Sequence, residues 1–248
     1  MDVPPACLRL SVVIPAYNEA KLIAGTIATV RESLAGAGLE EGAYEIIVCD
    51  NASTDSTAAL AARAGAAVVF EPERQIARAR NAGASRARAP ALLFLDADSW
   101  PDAALMGELL TALADDRVVA GGCTMRMHGV PRSIALGVRM WNLTSRLCRW
   151  AAGAFIFCRR DAFQGIGGFG LDYYVAEEID FSRRIKRWGA SRGLRFRILH
   201  RHPLLTSGRK GTLYSQREIW FLMLSMLRHP RSFFRDRESL HMWYDGRR

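Results

Sequence analysis

The chain has 248 residues, half of them hydrophobic, which suits one core-forming domain, alone or with a tail. A net charge of +9 and an isoelectric point near 9.8 call for an anionic partner (nucleotide, nucleic acid or lipid headgroup) without choosing among them. The five cysteines are odd in number and scattered with no C-x-x-C, which favours reduced thiols in a cytoplasmic setting over a disulfide framework or a zinc site.

Leu10 to Ala16 reads as a buried strand, followed from Asn18 by a helix with Ile23, Ile27, Val30 and Leu34 at helical spacing. Tyr44 to Asp50 is a second buried strand. The turn Asn51-Ala52-Ser53-Thr54-Asp55 then offers N-caps to an alanine-rich helix ending at Gly65. Ala67 to Phe70 is a short third strand, Ile76 to Arg88 a helix, and Ala91 to Leu95 a fourth strand. Ser99-Trp100-Pro101-Asp102 resembles a capping box ahead of a helix through Leu113. Strands alternating with helices across short turns predict a parallel sheet with helices on both faces.

The second half is less regular. Strands are expected at Val118 to Met127, Gly153 to Cys158 and Arg195 to Leu199. Helices are expected at Arg132 to Trp150, Glu177 to Trp188 and Tyr214 to Leu227, with a glycine-bearing loop from Phe163 to Phe169. No basic-then-apolar leader precedes the first strand, and the apolar run Ile219 to Leu227 is far shorter than the ~20 residues a spanning helix needs. A soluble protein is the expectation.

The fourth strand ends in Asp96-Ala97-Asp98. Residues two apart on a strand share a face, so both carboxylates can aim at one point past its carboxyl end, where open α/β sheets bind ligands. Two hard oxygen ligands suit Mg²⁺ or Mn²⁺ held jointly with a diphosphate, and a solvated turn is the competing reading. Other polar clusters at strand ends or just beyond are Pro15-Ala16-Tyr17-Asn18-Glu19, Asp50 to Asp55, and later Glu177-Glu178-Ile179-Asp180.

Arg78 and Arg80 open the third helix, where guanidinium forks and the helix terminus both favour phosphate. They point about 200° apart, so at most one faces the site. Glu178 shares a helical stripe with Phe181 and Ile185 and is expected to face inward more than Glu177. Asp180 sits four before Arg184, the spacing of an ordinary helical ion pair.

The order of P-A-Y-N-E, D-N-A-S-T-D-S-T, A-R-N-A-G, F-L-D-A-D and E-E-I-D-F-S-R-R, between about Leu10 and His200, resembles the family 2 glycosyltransferases. These are inverting enzymes with the GT-A fold, an α/β architecture built on a Rossmann-like, mainly parallel sheet. The resemblance implies a nucleotide-diphosphate sugar donor and an acceptor hydroxyl. It implies a nucleobase slot lined by Ala16 and Tyr17 with Glu19 nearby, and Asp50 accepting from a base N–H. Among the arginines it selects Arg78. It assigns Asp96 to the ribose or a metal-bound water, Asp98 to the metal (Mn²⁺ or Mg²⁺) and His200 to a third metal ligand. Glu178 takes the place of the base, although an aspartate is usual there. Arg209, in Thr206-Ser207-Gly208-Arg209-Lys210, resembles a diphosphate clamp. Trp141, Trp150 and residues 151–153 lie where the family holds its acceptor.

On this reading residues 1–9 are a tail and 10–213 the transferase domain, with a nucleotide-sugar half (10–115) and an acceptor half (116–213). Residues 214–248 add a helix and a basic aromatic tail suited to an anionic membrane face, the core or a homodimer contact. A lipid-linked acceptor would fit the first of these. A related nucleotidyltransferase usually needs a glycine-rich phosphate loop after the first strand, which is lacking. No G-x-G-x-x-G follows that strand to mark a nicotinamide enzyme, and no nucleic-acid-binding module is recognisable. Retaining enzymes share the GT-A fold, so inversion rests on the family alone.

Overall fold

A computed structural model describes residues 7–174 and 176–208. Arg209, the expected helix Tyr214–Leu227 and the basic tail lie outside the described residues, as does most of the N-terminal tail.

The first half runs β1 (Leu10–Ala16), α1 (Ile23–Gly36), β2 (Tyr44–Asp50), α2 (Thr57–Arg63), β3 (Ala67–Phe70), α3 (Ile76–Arg86) and β4 (Ala91–Leu95). The chain continues through β5 (Ser99–Trp100), α4 (Ala103–Ala114), β6 (Val118–His128), α5 (Arg132–Cys148), β7 (Phe155–Arg159), α6 (Arg160–Gly165), α7 (Glu177–Ala190) and β8 (Arg195–Ser207). All eight strands join one sheet in the order β3-β2-β1-β4-β7-β6-β8-β5. Pairing is parallel from β3 to β4 and between β6 and β8, while β7 and β5 run antiparallel to their neighbours.

The first three strands take the expected ranges; β1 and most of β2 are buried because the sheet is covered on both faces, while β3 at the sheet edge is largely exposed. Val12 and Ile14 join one core with Ile27 and Leu34 of α1 and Leu105 and Leu109 of α4. Val13 and Phe94 face the other core, with Ala77 of α3, Phe163 of α6 and Phe181 and Ile185 of α7. Each Val, Leu, Ile or Phe among them contributes about 1.5–3 kcal/mol on burial. Gly83 sets the closeness of α3: a Cβ there would stand 2.4 Å from Val13 Cγ1.

Three expectations change. The cap of α4 is Asp102, whose Oδ1 accepts from the Leu105 N–H at 2.8 Å, while Ser99 and Trp100 form a short strand instead. The expected loop at Phe163 begins inside the short helix α6. The last strand does not end at Leu199. Its register with β6 jumps from Cys123↔Leu199 to Met125↔Leu204, so His200, Arg201, His202 and Pro203 oppose a single residue and bulge out before pairing resumes to Ser207. Pro203 has no N–H to give the ladder, which a bulge tolerates.

Candidate active site

After β3 the chain returns to the other side of β1 to lay down β4, so the sheet order reverses between β1 and β4. Ligands of open sheets sit outside the carboxyl ends at such a point. A cavity of about 330 Å³ opens there, lined by Pro15, Ala16, Tyr17 and Glu19 after β1 and by Asp96, Ala97 and Asp98 after β4. The second half of the chain supplies Met125 and Met127, Gly153 and Ala154, Glu177 and Glu178, and Thr206 and Ser207.

At its floor is Arg80, buried to 1% exposure. Its guanidinium donates to Glu177 Oε1 at 2.6 Å, to Asp96 Oδ1 at 3.3 Å and to the Gly153 carbonyl at 2.8 Å. Burial works against the charge, but the carboxylates of Glu177, Asp96 and Glu178 outweigh it and hold the guanidinium protonated. One side chain thus ties the β4 turn to the start of α7. The Phe169 ring lies under it, 5.2 Å from the guanidinium carbon, and stacks on Phe181 at 4.4 Å.

Glu178 is half-buried beside this pair. A Cβ on Gly153 would meet Arg80 Nη2 at 3.2 Å and Glu178 Cδ at 3.9 Å. Burial first, then the Glu177 carboxylate, pushes the Glu178 carboxyl up to about 8, and Arg80 only partly offsets them. A carboxyl so raised keeps its proton up to about pH 8 and, once ionised, is a stronger base than an ordinary carboxylate.

The approach to α7 is pinned from α3. Asn81 exchanges two hydrogen bonds with the Phe169 backbone, both 2.9 Å, and Gln75 Nε2 donates to the carbonyls of Leu171 (2.8 Å) and Tyr173 (3.1 Å). Gly168, at φ +72°, lets the backbone turn against Asn81. Across the cavity, Arg74 stacks on the Tyr17 ring at 3.8 Å, and both line the wall.

Residues 11–167 match the family model for glycosyl transferase family 2. The chain belongs to this family.

An uncharacterised glycosyltransferase of Mycobacterium tuberculosis is 35% identical over 141 residues, covering 55% of this chain and 60% of that protein. This family 2 chain therefore spans only that 60% of its relative's length. A validoxylamine A glucosyltransferase of Streptomyces hygroscopicus is 36% identical over 123 residues, 46% of this chain and 28% of that one. Among solved structures, a mannosyltransferase of Pyrobaculum calidifontis in complex with GDP-Man and Mn²⁺ superposes at a TM-score of 0.66. It is 22% identical and covers 98% of this chain and 71% of its own. Residues 1–349 of TarS from S. aureus in complex with UDP-GlcNAc superpose at 0.64 with 19% identity, covering 95% of this chain and 69% of that one. At these identities the likeness shows the fold, which is GT-A.

Within this fold, Ala16, Tyr17, Glu19, Asp96, Asp98 and Glu178 come together on one cavity. Other expected residues lie elsewhere. Of the two arginines, Arg80 faces the cavity, while Arg78 turns away to Glu73 at 2.9 Å. The roughly 200° between them was legible, but which face meets the sheet depends on packing against β1. Asp50 is buried at the end of β2 and accepts from the Ser53 N–H at 3.2 Å, and its neighbour Asn51 lines the cavity. His200 is exposed and borders other surface clefts with Arg197, because the β8 bulge carries it out of the ladder seven positions before the strand's end. Trp141 and Trp150 do not line the cavity, and Arg183 stacks on Trp150 at 5.0 Å.

Glu177, not Glu178, is the more buried of the pair, since the first helical residue reaches back to Arg80. Asp180 meets Arg184 at 2.7 Å, the expected i,i+4 pair. Arg74, Met125 and Met127 were missed. Only the two-residue spacing of the methionines on a strand hinted that they share a face.

A divalent ion fits this donor set. Among the described residues no three His, Cys, Asp or Glu cluster to cage an ion alone. Mg²⁺-type sites commonly use one or two carboxylates plus substrate phosphates, and Asp96 and Asp98 both lie on the cavity wall. No helix among the described residues is long and apolar enough to cross a membrane.

Proposed function

We propose that this chain transfers a sugar from a nucleotide-diphosphate donor to an acceptor hydroxyl, with inversion and with Mn²⁺ or Mg²⁺ as cofactor. The observation that carries this reading is the single cavity shared by Glu178, with its raised pKa, and the carboxylates Asp96 and Asp98. The nucleotide complexes of the two structural neighbours support a nucleotide-sugar donor in both guanosine and uridine forms.

In this reading the Tyr17 ring, braced by Arg74, receives the nucleobase beside Ala16, with Glu19 close by. Asp96, oriented by Arg80, takes the ribose, and Asp98 holds the metal together with the diphosphate. When bound, the ion offsets charge on the departing diphosphate. Glu178 accepts the proton of the acceptor hydroxyl as that oxygen attacks the anomeric carbon from the side opposite the leaving group. Glu177 and Arg80 hold Glu178 at the cavity edge rather than reacting. Residues 10–115 serve as the donor half and 116–213 as the acceptor half. Arg209 acts as the diphosphate clamp, and the tail from residue 214 serves as a core or homodimer contact, with an anionic membrane face beside a lipid-linked acceptor as the alternative.

The deciding experiment is a thermal-shift panel of UDP-, GDP- and dTDP-sugars with and without Mn²⁺, followed by NMR of the product. One donor stabilising only with metal, and a product of inverted anomeric configuration, are expected. No stabilising donor would overturn the transfer reading, and a retained configuration would overturn inversion.

A further inference from the structure

Helix α5 turns an apolar stripe to solvent. Leu136, Met140, Leu143 and Leu147 are 58, 64, 58 and 75% exposed. At 3.6 residues per turn they lie within about 60° of one another around the helix. Scattered exposed apolar residues are ordinary, but a continuous stripe marks an interaction surface.

The opposite side of α5 is fastened. Asn142 exchanges two hydrogen bonds with the Met125 backbone, at 3.0 and 2.8 Å, and buried Ser145 donates to the Trp150 carbonyl at 2.6 Å. Asn142 thus ties α5 to β6 with its leucines on the far side.

Arg132, Arg139 and Arg146 are exposed along one border of the stripe. At its C-terminal end Arg146 and Arg149 line a cleft of about 360 Å³ with Arg195, Arg197 and His200, in which Arg195 also meets Asp115 at 2.7 Å. Between Asp116 and Asp161 the sequence has eight arginines and no acidic residue.

We infer that α5 is an interfacial helix that seats the protein on an anionic lipid bilayer, leucines among the acyl chains and arginines on the headgroup phosphates. Charge selects this occupant. A helix with an apolar face and an arginine border is the pattern that binds acidic membrane surfaces. A second copy, meeting this face by two-fold symmetry, would bring the same arginines together. The chain's own residues 209–248 carry nine Lys and Arg against four Asp and Glu, the wrong sign for this border. Because α5 is bonded to Met125 on the cavity wall, a bilayer beneath it would lie next to the acceptor half. The inference does not depend on the transfer chemistry.

The test is co-sedimentation of the full chain with phosphatidylglycerol-containing vesicles, against pure phosphatidylcholine, at low and high salt. The unaltered protein is expected to bind the anionic vesicles only and to release with salt. L143S/L147S should weaken binding at least about tenfold, with unchanged melting temperature and sedimentation velocity. R139Q/R146Q should flatten the salt dependence. No association of the unaltered protein, equal binding by L143S/L147S, or a smaller oligomer on that substitution would each overturn the inference. Donor-induced thermal shifts on the same samples report separately on the transfer reading.

Discussion

Arg80 and Glu177, 97 residues apart in sequence, form a buried ion pair at 2.6 Å beneath the cavity. The same guanidinium reaches Asp96, so the donor-side turn and the helix bearing Glu178 share one anchor. A charge this deep is tolerated only because its partners are in place.

Removing the anchor should be costly. Arg80→Met leaves Glu177 buried without its counter-charge and is expected to destabilise the fold by about 3–5 kcal/mol. Arg80→Lys should fall between this and the unaltered protein, because one ammonium cannot span Glu177, Asp96 and the Gly153 carbonyl as a planar fork does. Urea unfolding followed by circular dichroism measures both.

Glu178→Gln preserves shape and removes the proton acceptor. Turnover should drop by about 10²–10⁴ while donor affinity stays within twofold or so of the unaltered value. Calorimetric titration with the donor identified in the thermal-shift panel, beside a product assay, separates the two quantities. Undiminished turnover would take Glu178 out of the mechanism.

The same substitution carries a pH signature. Burial and Glu177 raise the folded-state pKa of Glu178 from the ordinary 4.5 to about 8. Between those values the folded chain keeps a proton that the unfolded chain has released, so this group's contribution to stability falls as pH rises through the window. Glu178→Gln does not titrate, and its stability relative to the unaltered protein should therefore grow from about pH 5 to about pH 8. A stability difference that is flat with pH would show that this carboxyl is not perturbed as described.

Position also separates the two candidate metal residues. Asp98→Asn should abolish the extra thermal shift that Mn²⁺ gives a bound donor, whereas His200→Ala, carried off by the β8 bulge, should leave it intact. If His200→Ala removed the metal effect, the assignment of ligands would have to be redrawn.

Asn81 offers a test of the brace before α7. Asn81→Ala deletes both bonds to the Phe169 backbone and should cost about 1–3 kcal/mol. Slower turnover is expected as well, since that segment leads directly into Glu177 and Glu178. Denaturation and the product assay, run on one preparation, check both.

The first half of this fold was readable because its strands are self-contained apolar runs bounded by turn residues. Leu10–Ala16, Tyr44–Asp50 and Ala67–Phe70 form where local pattern alone places them. The end of β8 was not readable. Arg201, His202 and Pro203 look like a strand stop, and only the distant ladder with β6 carries the pairing past them. The site divides along the same line. Asp96 and Asp98 do sit on the cavity, but β4 ends at Leu95 and the turn after it, not strand alternation, carries them there. The choice of Arg80 over Arg78, and the deeper burial of Glu177 than Glu178, go with the Arg80–Glu177 pair, whose members stand 97 residues apart where periodicity does not see them.

The amide of Ser207 donates to the Asp98 carbonyl at 3.0 Å, and the Ser99 hydroxyl donates to that of Thr206 alongside. The backbone of the proposed metal-binding acid is thus clasped by the closing rung of β8. Deuterium uptake at that one amide would report whether the last strand lets go of Asp98 during a catalytic cycle, making it a built-in gauge of how firmly the two halves stay joined.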